Sequence, residues 1–127
     1  CHIFENVILA TYGGDIIIGN YTSVNPFCVL YGHGNLTIGN DVRIATHSVF
    51  VSANHIFKDV EVPIRKQGMS KIGITIEDNV WIGAGVKVLD GITIKKNVVV
   101  AAGCVVNKNI ESNKVVGGVP AKIIKTR

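Results

Sequence analysis

Residues 74–106 read ITIEDNVWIGAGVKVLDGITIKKNVVVAAGCVV, and in this stretch every sixth residue is aliphatic. The recurring positions are Ile76, Ile82, Val88, Ile94, Val100 and Val106. An amphipathic helix repeats its apolar positions at intervals of three and four residues, and a half-buried strand repeats them at intervals of two. A constant interval of six instead predicts short strands separated by corners, with one interior aliphatic residue for each strand.

The same interval occurs earlier in the chain, where two series are separated by two extra residues. The first series is Ile18, Val24 and Leu30, and the second is Ile38, Ile44 and Phe50. We interpret residues 32–35, which contain the insertion, as a bulged corner. A small or branched residue follows four positions after most of these aliphatics, at Thr22, Cys28, Val42, Ser48, Val80, Val86, Val98 and Cys104, whereas Ile92 is bulkier.

Three such hexads are expected to form one coil of a triangular prism, so that residues eighteen positions apart stack. Ile76 would then pair with Ile94, Ile82 with Val100, and Val88 with Val106, at the roughly 4.8 Å spacing of neighbouring strands. The pattern predicts an all-β fold in which the aliphatic side chains fill the interior of the prism. It is weaker before Leu9, where we expect some coil structure to continue.

Polar pairs occupy the expected corners, at Gly19-Asn20, Gly39-Asn40, Asp78-Asn79 and Lys96-Asn97. Glycine and asparagine adopt tight or left-handed backbone conformations at low cost, which favours turns at these positions. Between Phe50 and Ile76 the interval is 26 residues instead of six, so a long loop, around residues 51–73, must leave the prism. Loops held by a rigid scaffold often carry functional side chains.

The composition favours one domain over residues 1–127, with a start at Cys1 that suggests that N-terminal residues are missing. No apolar run approaches the roughly 20 residues of a membrane helix, so we expect no membrane insertion. The net charge of +4 favours an anionic small molecule, because no aromatic-interleaved basic stripe predicts nucleic-acid binding. Three widely spaced cysteines indicate reduced thiols and a cytoplasmic location.

Three segments carry a resemblance to a known family: residues 44–55 (IATHSVFVSANH), 79–85 (NVWIGAG) and 117–122 (GGVPAK). The chain resembles the hexapeptide-repeat acyltransferases, in the branch of galactoside, maltose and polysaccharide O-acetyltransferases. The resemblance implies a left-handed parallel β-helix, a homotrimer with active sites between subunits, and acetyl-CoA as co-substrate. The hand is implied by the resemblance alone, because periodicity does not determine it.

The resemblance also implies roles for individual residues. His55 matches the catalytic histidine, and an imidazole is suited to accept the proton of an acceptor hydroxyl or amine; the alternative is a solvated loop histidine. Ala84 matches the backbone N–H donor that stabilises the oxyanion. The positions that match cofactor contacts are Trp81, Ala84, Ala102, Lys108, Lys122 and Lys125, where the lysines alternatively form a solvated basic tail and Trp81 caps a coil.

Acceptor binding is the least determined part of the site. The candidates are Asn25, His33, His47 and Arg65, whose alternatives are a turn residue for Asn25, exposed corner residues for the histidines, and an ion pair with Asp59 or Glu61 for Arg65. His33 and His47 stand where relatives often carry aspartate and asparagine. Cys28 and Cys104 are expected to be packing residues, and no metal is expected, because His47 and His55 lack partners at ligand spacing.

The sequence therefore predicts an enzyme that transfers an acetyl group from acetyl-CoA to a hydroxyl of a sugar or polysaccharide precursor. N-acetylation of an amino sugar, nucleotide sugar or xenobiotic is the alternative with the same mechanism. A non-catalytic β-helix scaffold, or a zinc enzyme of the carbonic anhydrase kind with metal between subunits, are alternatives from other classes.

Overall fold

The computed structural model describes residues 1–127, and the chain winds through short strands that lie on three faces. The first three strands lie on the first, second and third face in turn, and the fourth returns to the first face. Each coil thus contributes one strand to each face, and neighbouring strands from successive coils run parallel. This confirms the three-sided prism that the interval of six predicts.

The strand bounds, face by face, are as follows. The first face contains β1 (His2–Ile3), β4 (Ser23–Val24), β7 (Arg43–Ile44), β12 (Trp81–Ile82), β15 (Val99–Val100), β17 (Lys114–Gly117) and β18 (Lys122–Thr126). The second contains β2 (Ile8–Ala10), β5 (Val29–Tyr31), β8 (Val49–Val51), β13 (Lys87–Val88) and β16 (Val105–Val106). The third contains β3 (Ile16–Ile18), β6 (Leu36–Ile38), β11 (Ile74–Ile76) and β14 (Thr93–Ile94).

The register between coils is the predicted one. The three expected pairs, Ile76 with Ile94, Ile82 with Val100 and Val88 with Val106, are all formed. In the N-terminal coils the partner lies two residues further along the chain, so that Val24 pairs with Ile44 and Leu30 with Phe50. The extra residues are accommodated in the turn at His33 and Gly34, as the insertion predicts.

The interior of the prism holds one cluster of 23 buried hydrophobic residues. The six aliphatic residues of the decisive stretch are at most 1% exposed, and the small residues that follow them are equally buried. Burial of one such aliphatic side chain contributes on the order of 1.5 to 3 kcal/mol. In the first coil Ile3, Val7, Ile16 and Ile18 are partly buried and pack against this cluster.

The turns between the third and first faces correct one expectation. Asn79 and Asn97 adopt the left-handed conformation with φ of 54° and 63°, as predicted, but in the earlier turns Tyr21 and Asp41 do so at 57°, and not Asn20 and Asn40. In these four turns the left-handed residue stands directly before a buried residue, which is Thr22, Val42, Val80 or Val98. Asparagine side chains stack along this edge, where Nδ2 of Asn79 donates to Oδ1 of Asn97 over 2.9 Å.

The long loop leaves the prism after β8 and returns at β11, as predicted, but it has a structure of its own. Strands β9 (Asn54–His55) and β10 (Met69–Ser70) form an antiparallel hairpin, and a 3-10 helix spans Ile64–Lys66. The side chain of Gln67 binds the loop internally, because its Nε2 donates to the carbonyl oxygens of Asp59 and Val62, both at 2.7 Å. We call residues 52–73 the excursion loop.

None of the helical structure is long and apolar enough to cross a membrane. The left hand of the coil remains a prediction from the resemblance.

The buried aliphatic repeat should dominate stability. Ile82→Ala removes a fully buried side chain and should lower the free energy of unfolding by about 2 to 5 kcal/mol, because the surrounding coils relax only partly into the cavity. The matched control is Ile17→Ala, which makes the same change at a side chain that is 58% exposed and should cost less than about 1 kcal/mol. Urea unfolding at one fixed protein concentration measures both, and equal losses would contradict the assigned interior.

Candidate active site

The turns of successive coils stack into three edges, which carry the candidate site residues. Edge 1–2, between the first and second faces, consists of the turns at residues 25–28, 45–48, 83–86 and 101–104. Edge 2–3, between the second and third faces, consists of the turn at residues 32–35, the excursion loop and the turn at residues 89–92. Most of the candidates therefore divide between two edges of the same prism, whereas Trp81, Lys122 and Lys125 lie on strands of the first face.

An apolar groove of about 490 Å³ runs along edge 1–2. Its lining residues are Ala45, Trp81, Gly83, Ala84, Val99, Val100, Ala101 and Ala102. The turns pack closely here, since a Cβ on Gly83 would come within 2.7 Å of the Ala102 nitrogen and 2.8 Å of the Val100 oxygen. Trp81, 57% exposed, projects from β12 into the groove wall. The groove thus brings together three of the predicted cofactor contacts: Trp81, Ala84 and Ala102.

Two backbone donors in this groove have no partner within the chain. The carbonyl of Ala84 accepts from the Gly103 N–H at 2.8 Å, but neither the Ala84 N–H nor the Ala102 N–H donates a hydrogen bond. Each is the second residue of its turn, and both are exposed. Because backbone N–H groups are strong donors, a ligand in the groove would find two of them, one on each coil.

The turns of edge 1–2 at residues 25–28 and 45–48 carry Asn25, Phe27 and His47. The rings of Phe27 and His47 stack with centroids 5.3 Å apart, and both residues have left-handed backbones, at positions where the lower coils have glycine. This conformation is uncommon for bulky residues, but Tyr12 and Tyr21 also adopt it in turns of the other edges. Nδ1 of His47 is hydrogen-bonded to Thr46 at 2.8 Å, and Nδ2 of Asn25 donates to the Ile44 carbonyl at 2.8 Å.

His55 lies on edge 2–3, in the hairpin of the excursion loop. It belongs to β9, where it pairs with Met69, and its imidazole is exposed and makes no hydrogen bond within the chain. The ring borders a cavity of about 420 Å³ that is also lined by Asn54, Ile56, Phe57, Lys58 and Ser70. None of these residues lines the groove of edge 1–2, so that His55 and Ala84 face different cavities of one chain.

His33 lies on edge 2–3 as well, within an aromatic cluster that sequence reasoning missed. Its ring stacks on Tyr12 with centroids 4.5 Å apart and meets Tyr31 edge-on at 5.7 Å. A hydrogen bond with Tyr12 raises the pKa of Tyr31. Nδ1 of His33 is buried and has no hydrogen-bond partner. No periodic signal marks the two tyrosines, because they stand outside the interior positions of the repeat.

The basic candidates are spread over the surface. Lys108 is exposed near edge 2–3 and not beside the groove, whereas Lys122 and Lys125 are exposed on β18, which pairs with β17 at the C-terminal end of the first face. Arg65 is exposed in the 3-10 helix, and the ion pair with Asp59 or Glu61 is not formed, since the one salt bridge of the chain joins Lys95 and Glu111. No cluster of three or more histidine, cysteine or acidic side chains could hold a metal ion.

Comparison with known proteins agrees with this architecture. Residues 73–108 match the family model described as bacterial transferase hexapeptide (six repeats). A solved hexapeptide-repeat containing acetyltransferase from Vibrio cholerae is 33% identical, with a TM-score of 0.86 over 98% of this chain and 69% of that one. The chain belongs to the hexapeptide-repeat acetyltransferase family. The Vibrio cholerae protein has also been solved in complex with acetyl coenzyme A, and that structure matches 99% of this chain with a TM-score of 0.85.

Among related proteins, the galactoside O-acetyltransferase of Escherichia coli is 36% identical over 122 residues, which cover 95% of this chain and 59% of the relative. The polysialic acid O-acetyltransferase of Escherichia coli is 41% identical over 119 residues, which cover 93% of this chain and 38% of the relative. The chain spans 42% to 62% of the length of the first curated relatives that it matches.

Cys28 and Cys104 should be chemically inert, in contrast to Cys1. Burial raises the pKa of the Cys28 and Cys104 thiols, and both side chains are fully buried. The pKa shift disfavours the reactive thiolate, so that one of the three thiols, that of exposed Cys1, should react with a disulfide reagent near neutral pH. Thiol titration before and after denaturation measures this, and Cys1→Ser is the control that should leave none. A second thiol reacting in the native protein would contradict the closed interior.

Proposed function

We propose that the protein is an acetyltransferase that transfers an acetyl group from acetyl-CoA to a hydroxyl of a sugar or polysaccharide precursor. The observation that carries the proposal is an apolar groove with two unpaired backbone N–H donors, in a chain that aligns over nearly its whole length with a relative solved with acetyl coenzyme A.

His55 is the proposed general base. Its imidazole takes the proton of the acceptor hydroxyl while the hydroxyl oxygen attacks the thioester carbonyl and a carbon–oxygen bond forms. The Ala84 N–H donates to the resulting oxyanion. When the oxyanion collapses, the carbon–sulfur bond breaks, and the departing sulfur receives the proton that His55 holds. No acyl-enzyme is formed, which agrees with the burial of Cys28 and Cys104.

The groove of edge 1–2 is the proposed binding surface for the pantetheine arm. Its apolar wall suits the methylene groups, while the Ala84 and Ala102 N–H groups are available to amide or thioester carbonyls. The first face continues past the groove, because the Ala101 N–H donates to the Val116 carbonyl on β17 at 2.8 Å. Lys122 and Lys125 on the adjoining β18 are proposed to attract the phosphates as point charges. Lys108 lies on edge 2–3 and would contact a bound cofactor only in the groove of a neighbouring copy.

A homotrimer with sites between subunits is part of the proposal. His55 and Ala84 line different cavities of one chain, so a complete site needs the excursion loop of one copy beside the groove of another. Such head-to-tail contacts close into a ring when the rotation allows it. The unpaired thiols support a cytoplasmic location.

The proposed acceptor is a sugar, as in the galactoside and polysialic acid O-acetyltransferases that the chain resembles. Asn25 and His47 lie in turns of edge 1–2, the edge that carries the groove, whereas His33 and Arg65 lie on the edge that carries His55. In an inter-subunit site the two groups would meet around one acceptor. His33 Nδ1, buried and unpaired, has hydrogen-bonding capacity left for a hydroxyl.

Thiol release from acetyl-CoA, assayed across sugars, amino sugars and nucleotide sugars, tests the proposal. His55→Ala should lower turnover on the best acceptor by about 100-fold or more, because the attacking hydroxyl loses its base, while the fold stays intact. The matched control is His2→Ala, which removes another exposed histidine at the far end of the prism and should leave turnover unchanged.

Wild-type turnover in His55→Ala would eliminate the assigned base. Turnover confined to amino groups would replace O-acetylation by N-acetylation with the same site. Absence of thiol release with every acceptor would favour a scaffold, and stoichiometric zinc in the purified protein would favour the metal-dependent class.

A further inference from the structure

We propose that Asp90 is a positioning residue of this enzyme: its carboxylate fixes the returning end of the excursion loop and thereby holds His55 in place. The inference rests on the proposed role of His55. Asp90 stands in the turn between the second and third faces, one coil below the point where the loop rejoins the prism. It is the only buried carboxylate of the chain, at 8% exposure.

The carboxylate of Asp90 accepts the two backbone N–H groups that end the excursion loop. Oδ1 accepts from the Gly73 N–H at 2.8 Å, and Oδ2 accepts from the Ile72 N–H at 3.0 Å. The next residue of the same turn adds a third bond, since the Gly91 N–H donates to the Gly73 carbonyl at 2.9 Å. Gly73 itself has a φ of 113° and lies so close to Gly34 that a Cβ would clash with the Gly34 carbonyl oxygen.

The outgoing end of the loop, at Ser52, is fixed by hydrogen bonds to the preceding coil. The Gly34 N–H donates to the Ser52 carbonyl at 3.1 Å, and the Ser52 hydroxyl donates to the Tyr31 carbonyl at 2.7 Å. A Cβ on Gly34 would approach both Ser52 and Gly73 within 2.9 Å, so the two ends of the loop both pass close to this glycine. The ends of the loop are thus held between the coil above and Asp90 below.

The anchored residues connect directly to the hairpin of His55. His55 is three residues beyond Ser52, and its strand partner Met69 is three residues before Ile72. Displacement of the Ile72–Gly73 end would therefore move β10 and, through the pairing, His55. The catalytic imidazole has no hydrogen bond of its own to fix it, so its position depends on the backbone that carries it.

A carboxylate suits this task better than the neutral alternatives. Two oxygens accept two neighbouring N–H groups at once, whereas an asparagine at this position accepts one and turns its own donor toward the other. Removal of the side chain leaves both N–H groups without a partner in a half-buried position, which favours departure of the segment toward water.

The test compares Asp90→Ala and Asp90→Asn with Asp78→Ala. Asp78 is a matched control because its Oδ1 also accepts a backbone N–H from another coil, that of Asn40 at 2.7 Å, but on the edge without the loop. Asp90→Ala should lower kcat about tenfold to 100-fold with KM for acetyl-CoA unchanged, since small displacements of a catalytic group carry costs of this order and the groove is untouched. Asp90→Asn should fall between Asp90→Ala and wild type.

Hydrogen exchange provides a readout that does not depend on activity. Amide exchange of peptides covering Ile72 and Gly73, and of the hairpin with His55, should accelerate in Asp90→Ala and stay at the wild-type rate in Asp78→Ala. Wild-type kcat and wild-type exchange in Asp90→Ala would overturn the inference, and so would equal effects of the Asp90 and Asp78 substitutions. If His55→Ala is fully active, the proposed function fails while exchange still reports on the anchor. If His55→Ala is slow and Asp90→Ala is not, the positioning role alone fails.

Discussion

Burial of one aliphatic side chain from each hexad inside a three-sided prism is the constraint on which this structure depends. Each face turns one such side chain inward, and the partner in the next coil occupies the same place, as Ile82 does above Val100. A shift of the pairing by one residue would turn these side chains out toward water, so burial also fixes the register. Since the interior is filled by hydrophobic side chains, polar chemistry is restricted to the edges and to the excursion loop.

The periodic part of the structure could be predicted from sequence, and the contacts outside the period could not. An interval of six, kept without a slip, determines which residues stack, and the eighteen-residue spacing already places Ala84 and Ala102 in one groove. The same spacing places Lys108, six residues after Ala102, at the next edge of the prism and not beside the groove. Tyr12 stacks on His33, which lies 21 residues further along the chain. Asp90 binds the loop at Ile72 and Gly73, which precede it by 18 and 17 residues. The repeat specifies none of these side chains.

The two edges carry different parts of the candidate site. Edge 1–2 offers an apolar groove with unpaired N–H groups and no titratable side chain among its lining residues, whereas edge 2–3 offers an exposed imidazole on an anchored hairpin. His55 and the Ala84 N–H, the proposed proton acceptor and the proposed oxyanion donor, lie on different edges. The prism keeps the two edges apart within one chain, and for this reason the proposed function places the site between copies.

Mixing of two inactive variants tests this division most directly. His55→Ala lacks the base but keeps the groove, and Ala84→Phe fills the groove at an exposed position but keeps His55. When the two variants are unfolded and refolded together in equal amounts, about a quarter of the interfaces should combine an intact His55 with an intact groove, and about a quarter of the wild-type thiol release should return. Mixed oligomers without any recovered activity would contradict a site shared between two copies.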